Sequence, residues 1–367
     1  MRIAINTRSI LLERPTGIGR YTYHLLDSLG KVDPVNAYIL HAPKRRFDFK
    51  RRLPDFSRYH NFEPCLDHSC QGPGPSDIYH MASPDAIGPH EGKLVVTVHD
   101  MIYKTYPQGH SPQTIELSEK NMQAIAAKAA KIICISEQTR RDLHAFLDLP
   151  VERSCVVHNG VDHNLFYPLA DHERLGARRQ LKSLGIDKPY ILYVGTIEPR
   201  KNLTGLLESF AILKSKNIFP GVLVVAGMKG WMVENINDLI KKLGLKSHVI
   251  FTGFITDGQL RTIYSMAEAF VFPSFYEGFG FPILEAFSCG TAVITSSTSS
   301  CAEIAGEAAV LIDPSNPTAI AAAMEQVLTD KNVRDGLRAA GLKRAAEFSF
   351  EKTAHGTLDV YQGLMKL

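Results

Sequence analysis

The chain has 367 residues, 45% of them hydrophobic and 22% charged, with a formal net charge of +3. That length is too great for one comfortable core and points to two domains of an ordinary soluble globular protein. The charge is too small to argue for nucleic acid, and no apolar run is long enough for a membrane span; residues 124–135 are broken by Lys128 and Lys131.

Residues 2–6 predict a buried first strand. This start is too brief for a signal-peptide core, so a cytoplasmic location is expected. A polar loop leads to Thr16-Gly-Ile-Gly-Arg-Tyr-Thr22 and an amphipathic helix through Leu29. A dinucleotide fingerprint fails here on two counts: its third glycine position is Thr22, and the glycines do not follow the strand directly. What remains at Gly17 and Gly19 is a glycine turn opening a helix. It reads either as a plain turn or as one that brings backbone N–H groups to a phosphate.

Residues 38–41 predict a strand, and a basic run follows: Lys44, Arg45, Arg46, Lys50, Arg51, Arg52 and Arg58. The run reads either as a solvated segment or as a patch for an anionic lipid-linked sugar or membrane surface. Residues 61–92 are rich in Pro, Gly and His and are expected to be irregular. Cys65 and Cys70 have poor spacing for a metal site, and no second ligand pair follows. Residues 93–98 predict a buried strand that ends in the polar pair His99 and Asp100. Ligand sites in open parallel sheets lie just past such strand ends. Residues 111–130 predict a helix, 131–135 a strand, Ser136 a helix cap, and 155–160 the last strand of the first domain.

Polar and charged residues over 161–187 predict a linker. Residues 190–194 then predict a strand running into Gly195 and Thr196, with Arg200 and Lys201 standing before a helix that starts near Asn202. Two cations at a helix start oppose the partial positive charge already there, a conflict that an anionic ligand would resolve. Strands are expected over 222–226, 249–254, 269–272, 291–294 and 309–312, the first leading into Gly227. Thr256 to Gln259 reads as a capping box, and Asn316 with Pro317 as another helix start.

The densest signal is Ser274-Phe-Tyr-Glu-Gly-Phe-Gly-Phe-Pro-Ile-Leu-Glu285. Two glycines and a proline discourage helix before position 282, so a loop is expected up to Phe281 and a helix from Pro282 onward. Glu285 then falls in the first turn, with Glu277 beyond the open end. The free N–H groups between them form an anion site, and Gly278 and Gly280 let a ligand approach the backbone. This suits a ligand with hydroxyls at both ends and a diphosphate in the middle, such as a sugar nucleotide. The alternative is a glycine-rich loop entering a buried helix, with Phe279, Phe281, Ile283 and Leu284 as core.

Glu277 to Glu285 resembles the E-x7-E signature of retaining glycosyltransferases of family four. The resemblance covers nearly the whole chain and is strongest over residues 194–202 and 252–304. It implies an α/β architecture, GT-B, of two facing Rossmann-like domains with parallel sheets and a cleft between them. The domains would span 1–170 and 171–349, with a helix over 350–367 packing back on the first. The implied reaction moves a hexose from a nucleoside diphosphate sugar to an acceptor hydroxyl, with retention at the anomeric carbon.

By the same resemblance, Gly17 and Gly19 match the glycine loop over the donor diphosphate. His99 matches the strand-end histidine that touches the donor sugar. Arg200 and Lys201 match the pair that binds the diphosphate and supports the leaving group. Glu277 would touch sugar hydroxyls and Glu285 the ribose. Asp100, Gly195, Thr196, Gly227, Gly253, Phe254, Gly278, Phe279, Gly280, Phe281 and Pro282 complete the donor-binding set. No D-x-D occurs, so no catalytic metal and no cofactor are expected. The stretches 253–257 and 297–303 look most like bacterial mannosyltransferases of O-antigen assembly. GDP-mannose is therefore the preferred donor, and a glycan or lipid-linked saccharide the acceptor.

Two carboxylates also invite a glycosidase reading, but a hydrolase has no diphosphate for the cationic pair and glycine loops to serve. A sugar-nucleotide 2-epimerase is the competing enzyme class, and its family lacks E-x7-E. A non-catalytic sugar-nucleotide binder is excluded only by an activity test.

Overall fold

Short apolar runs alternate with amphipathic segments along the chain, the pattern of parallel strands covered by helices on both faces. The computed structural model describes residues 1–11, 16–43, 52–68, 71–228 and 234–366. It divides into two compact units, Met1–Gly160 with Ser349–Leu367, and Val161–Phe348.

The first unit is built on β1 (Arg2–Asn6), β2 (Ala37–Pro43), β3 (Phe62–Asp67), β4 (Ile78–Met81), β5 (Lys93–Val98), β6 (Lys131–Cys134) and β7 (Ser154–Val156). All pairings are parallel, in the order β3-β2-β1-β4-β5-β6-β7. Strands β3 and β4 lie where the sequence predicts irregular chain. Pro64 hides β3, and it is tolerated because β3 is an edge strand. His80 breaks the apolar run of β4, yet it is fully buried and hydrogen-bonded on both ring nitrogens. The last strand, β7, stops at Val156 rather than running to Gly160.

Thr16 caps the helix Gly17–Val32, whose face of Tyr21, Leu25, Leu26 and Leu29 is buried. The closing helix Phe350–Met365 joins the same core through Ala354, Leu358, Tyr361 and Leu364, and Phe350 stacks on His24 at 4.5 Å. Each leucine among them taken from water contributes roughly 1.5–3 kcal/mol. Ser111 and Ser136 cap the helices Pro112–Lys128 and Glu137–Phe146.

The second unit contains β8 (Tyr190–Val194), β9 (Val222–Ala226), β10 (Val249–Gly253), β11 (Ala269–Phe272), β12 (Val293–Ser296) and β13 (Val310–Ile312). They pair in parallel in the order β10-β9-β8-β11-β12-β13. This is the doubly wound order, with its topological switch between β8 and β11. Residues 161–187 are not a linker. Phe166 is buried with its ring edge-on to Tyr264 at 6.2 Å, and Arg261 lies 3.5 Å over the Tyr167 ring. The helix Arg174–Ser183 follows, burying Ala177 and Leu181. The unit boundary therefore falls at 160/161 rather than 170/171, because apolar anchors sit among the polar residues of this stretch. Thr256 with Gln259 forms the expected capping box, and Asn316 caps Pro317–Thr329. Among the described residues, no helix is long and apolar enough to cross a membrane.

Candidate functional site

In the second unit, chain leaving β8 and β11 meets at the switch point, where a doubly wound sheet opens a crevice. Three glycines shape the strand ends there. Gly195 has φ 149°, and a Cβ on it would stand 3.1 Å from the Lys201 side chain. Gly227 has φ 146°, and a Cβ on it would stand 2.1 Å from the Gly195 carbonyl oxygen, so only glycine fits. The Gly195 N–H donates to the Ala226 carbonyl at 2.9 Å and the Gly227 N–H to the Gly253 carbonyl at 3.0 Å. Thr196 is exposed beside them, and Phe254 is 60% exposed.

Arg200 and Lys201 close a 3-10 turn, Pro199–Lys201, one residue short of the helix Leu203–Ser215. Asn202, with φ 54°, caps that helix by accepting the Gly205 N–H at 3.1 Å. The two cations thus precede the cap. The charge conflict read from the sequence is met inside the chain, by Glu277. Its Oε2 lies 2.7 Å from Arg200 Nη1, and its Oε1 lies 3.4 Å from Lys201 Nζ. Ser274 Oγ donates to Oε1 at 2.9 Å. Arg200 also donates to the Tyr276 carbonyl at 2.5 Å and pairs with Glu198. All three side chains are only 12–13% exposed. Burial would raise the Glu277 pKa, but Arg200, Lys201 and the Ser274 hydroxyl outweigh it and hold the carboxyl below its usual range. Glu277 is therefore an anion at neutral pH.

The helix after the motif runs Phe281–Ser288, capped by Gly280 in the left-handed region at φ 111°. It starts one residue before Pro282, and Glu285 lies past its first turn. Glu285 is buried, and the Tyr264 hydroxyl donates to its Oε2 at 2.9 Å. The second glutamate of the motif is thus anchored in the core. The Phe279 side chain is buried too, 5.2 Å from the Phe281 ring and 6.2 Å from Phe348, so it serves packing. Gly278 is buried between Glu277 and Phe279.

Three serines that sequence reasoning left out hold the loop. Ser274 is the first. Ser299 Oγ accepts the Glu277 N–H at 3.2 Å, and Ser300 Oγ donates to the Glu277 carbonyl at 2.7 Å. Ser299 adopts φ 54°, uncommon for a residue with a side chain. The available signal is the hydroxyl run 296–300 at the end of β12.

In the first unit, the Thr16 hydroxyl accepts the Gly19 N–H at 3.3 Å, so this amide is committed to the cap rather than presented to a phosphate. Gly17 faces open space. His99 follows β5 and is buried, with Nε2 2.8 Å from the Ala82 carbonyl oxygen and the ring edge-on to Tyr21 at 4.9 Å. A carbonyl only accepts, so Nε2 carries the hydrogen and Nδ1 is an acceptor. Burial lowers the His99 pKa, which keeps the ring neutral. Asp100 accepts the Ile102 N–H at 3.0 Å as a local turn. Of the basic run, Lys44, Arg45, Arg46, Lys50 and Arg51 lie outside the described residues, as does Cys70. Arg58 is paired with Asp27. Among the described residues, no three His, Cys, Asp or Glu side chains gather as a metal site.

The family model for glycosyl transferases group 1 matches residues 177–344, and that for glycosyltransferase family 4 matches residues 15–165. O-antigen chain mannosyltransferase B of Escherichia coli is 32% identical over 288 residues, 78% of this chain and 74% of that protein. The serotype-specific mannosyltransferase WbdA of Escherichia coli is 30% identical over 298 residues, 80% of this chain but only 36% of WbdA. Among solved structures, a sucrose-phosphate synthase from Thermosynechococcus elongatus superposes with a TM-score of 0.77 at 22% identity, over 100% of this chain and 99% of that one. Anabaena HepE, solved with UDP and glucose, gives 0.72 at 16% identity over 100% of both chains. At these identities the two structures bear on the fold alone.

Proposed function

The chain belongs to glycosyltransferase family four, with the GT-B fold, and on that premise we propose that it moves mannose from GDP-mannose to a hydroxyl of a glycan or lipid-linked acceptor, with retention, in cell-surface polysaccharide synthesis. The pairing of Glu277 with Arg200 and Lys201 at the switch point of the second unit carries this reading. Breaking the anomeric C–O bond builds negative charge on the leaving diphosphate and positive charge on the sugar. A cluster of two cations and one carboxylate, fixed before the reaction begins, complements both charges.

In the proposed step the acceptor oxygen bonds to the anomeric carbon as the bond to the diphosphate breaks. The acceptor proton leaves on the nucleoside diphosphate. Neutral His99 is proposed to accept a hydrogen bond from a hydroxyl of the transferred sugar. Glu285, held by Tyr264, is proposed to meet the ribose. The mannosyltransferase names of the two Escherichia coli relatives support the choice of sugar.

The test is a thermal-shift panel of GDP-, UDP-, ADP- and dTDP-sugars, followed by transfer with the best donor and NMR of the new anomeric centre. Stabilisation by GDP-mannose and a product with the donor's anomeric configuration are expected. An inverted product would refute the retaining mechanism. Binding without transfer to any saccharide acceptor would make the protein a sugar-nucleotide binder.

A further inference from the structure

The carboxyl ends of the second sheet hold the site described above, and the amino ends of the same strands hold a cavity of about 580 Å³. Glu268 enters it just before β11, and Gly290 just ahead of β12. Strand β11 is four residues long. At about 3.3 Å per residue it separates the cavity from the Glu277 loop by roughly 13 Å.

Four arginines line this cavity. Arg174 and Arg178 come from the helix Arg174–Ser183, and Arg334 and Arg338 from successive turns of the helix Lys331–Ala345. Glu268 is the single carboxylate in the lining, and its Oε2 is 3.9 Å from Arg334 Nε, beyond hydrogen-bond reach. Outside the lining, Asp335 lies 3.5 Å from Arg338 and is shared with Lys331 at 2.6 Å. Asp171 lies 3.4 Å from Arg174 and is fully exposed.

Four guanidiniums on surface helices would ordinarily be solvated. Two observations argue otherwise here. Arg334 and Arg338 are only 17% and 33% exposed, the Nε of each is buried with no hydrogen-bond partner, and Arg334 Nη1 is held by the Val327 and Leu328 carbonyls at 3.2 and 3.0 Å, which fixes its guanidinium at the cavity. Burial also lowers the Arg338 pKa; the charges of Arg334 and Arg174 act in the same direction, and Glu268 and Asp335 oppose it. Four positive charges thus line one cavity, with Glu268 as the single carboxylate in its lining.

We propose that this cavity binds a small phosphorylated molecule, its phosphate held by the four arginines and its body resting against Met266 and Leu342. The guanidinium fork matches phosphate geometry, and four of them line this one cavity with a single carboxylate among them. The volume is that of a small-molecule site rather than a flat protein contact. The site is separate from the crevice at the carboxyl ends of the strands, since it lies at their amino ends.

Calorimetry on the full chain tests this, with inorganic phosphate and glucose 6-phosphate as probes. The Arg178→Gln/Arg338→Gln double variant, with fold and Tm checked, should lose at least about tenfold in affinity for both. Arg178→Gln alone, at an exposed position, should weaken binding without altering Tm. Arg200→Ala should leave this binding unchanged. The proposal fails if Arg200→Ala removes phosphate binding while the double variant keeps it, or if the wild-type chain binds neither probe at millimolar concentration. Arginine-dependent binding to phosphatidic acid vesicles without glucose 6-phosphate binding would overturn the small-molecule assignment in favour of a lipid headgroup.

Discussion

Glu277 Oε2 lies 2.7 Å from Arg200 Nη1, so the first glutamate of the motif is the counter-ion of the cation pair that leaves β8. The sequence suggests two cations awaiting an anionic ligand. The fold supplies a carboxylate first, and in the proposed function an arriving diphosphate would share Arg200 and Lys201 with it. Glu277 is placed to orient both cations, and under the proposed function it would limit how tightly the ground-state anion is held.

Glu277→Ala should lower kcat by roughly 10²–10³-fold, the scale of losing one preorganised electrostatic contact. Donor affinity by calorimetry should be no weaker than in the wild type, because the variant frees both cations for the diphosphate. A near-normal kcat, or a marked loss of donor affinity, would refute this division of roles.

Glu285 is positioned by the Tyr264 hydroxyl at 2.9 Å. Tyr264→Phe should raise donor KM and leave kcat almost unchanged, since a ribose contact is made equally in ground and transition states. Glu285→Ala should do the same and also destabilise the fold by about 1–3 kcal/mol, as a buried hydroxyl loses its acceptor. Urea denaturation together with steady-state kinetics checks both. A Tyr264→Phe variant with unaltered KM would mean that Glu285 does not meet the nucleoside.

Acid sensitivity should come first from histidine. His80 is fully buried between the Tyr361 hydroxyl at 2.6 Å and the Thr97 hydroxyl at 2.8 Å. Burial, helped by His99, drives its pKa from 6.5 down to about 3. The unfolded chain takes up a proton below pH 6.5 and the folded one does not, so stability falls as pH drops from 6.5 toward 3. The slope is about 1.4 kcal/mol per pH unit for each such group. Glu277, whose pKa is lowered from 4.5, contributes stability that is lost only below that value. His80→Gln should therefore flatten the decline of Tm between about pH 6.5 and 5. An equal slope in both proteins would show that His80 is not the titrating group.

Transfer should be independent of divalent metal. Arg200 and Lys201 are proposed to stabilise the departing diphosphate, the service a metal ion performs in other transferases. Activity should persist in excess EDTA, and a loss that Mg²⁺ or Mn²⁺ restores would overturn this expectation.

The basic run should favour anionic membrane. Neutralising Arg45, Arg46, Arg51 and Arg52 should weaken sedimentation with anionic vesicles, added salt should do the same, and donor affinity should not change. Equal binding to neutral and anionic vesicles would return the run to a solvated surface.

Periodicity and punctuation settled much of this protein before any tertiary contact. Apolar runs such as 190–194 and 222–226 became strands, Ser136, Thr256 and Asn316 became caps, and the spacing of Glu277 and Glu285 pointed to the family. Strands β3 and β4 escaped because Pro64 and His80 are paired or placed only by the assembled sheet. Tertiary structure alone joined Glu277 to Arg200, since the two are brought together by the adjacency of β8 and β11, which no local pattern encodes. It also took Glu285 from the first helical turn beside an expected anion site to the core, where Tyr264 holds it, because the hydrogen-bond partner of a buried carboxylate depends on which helix packs across from it.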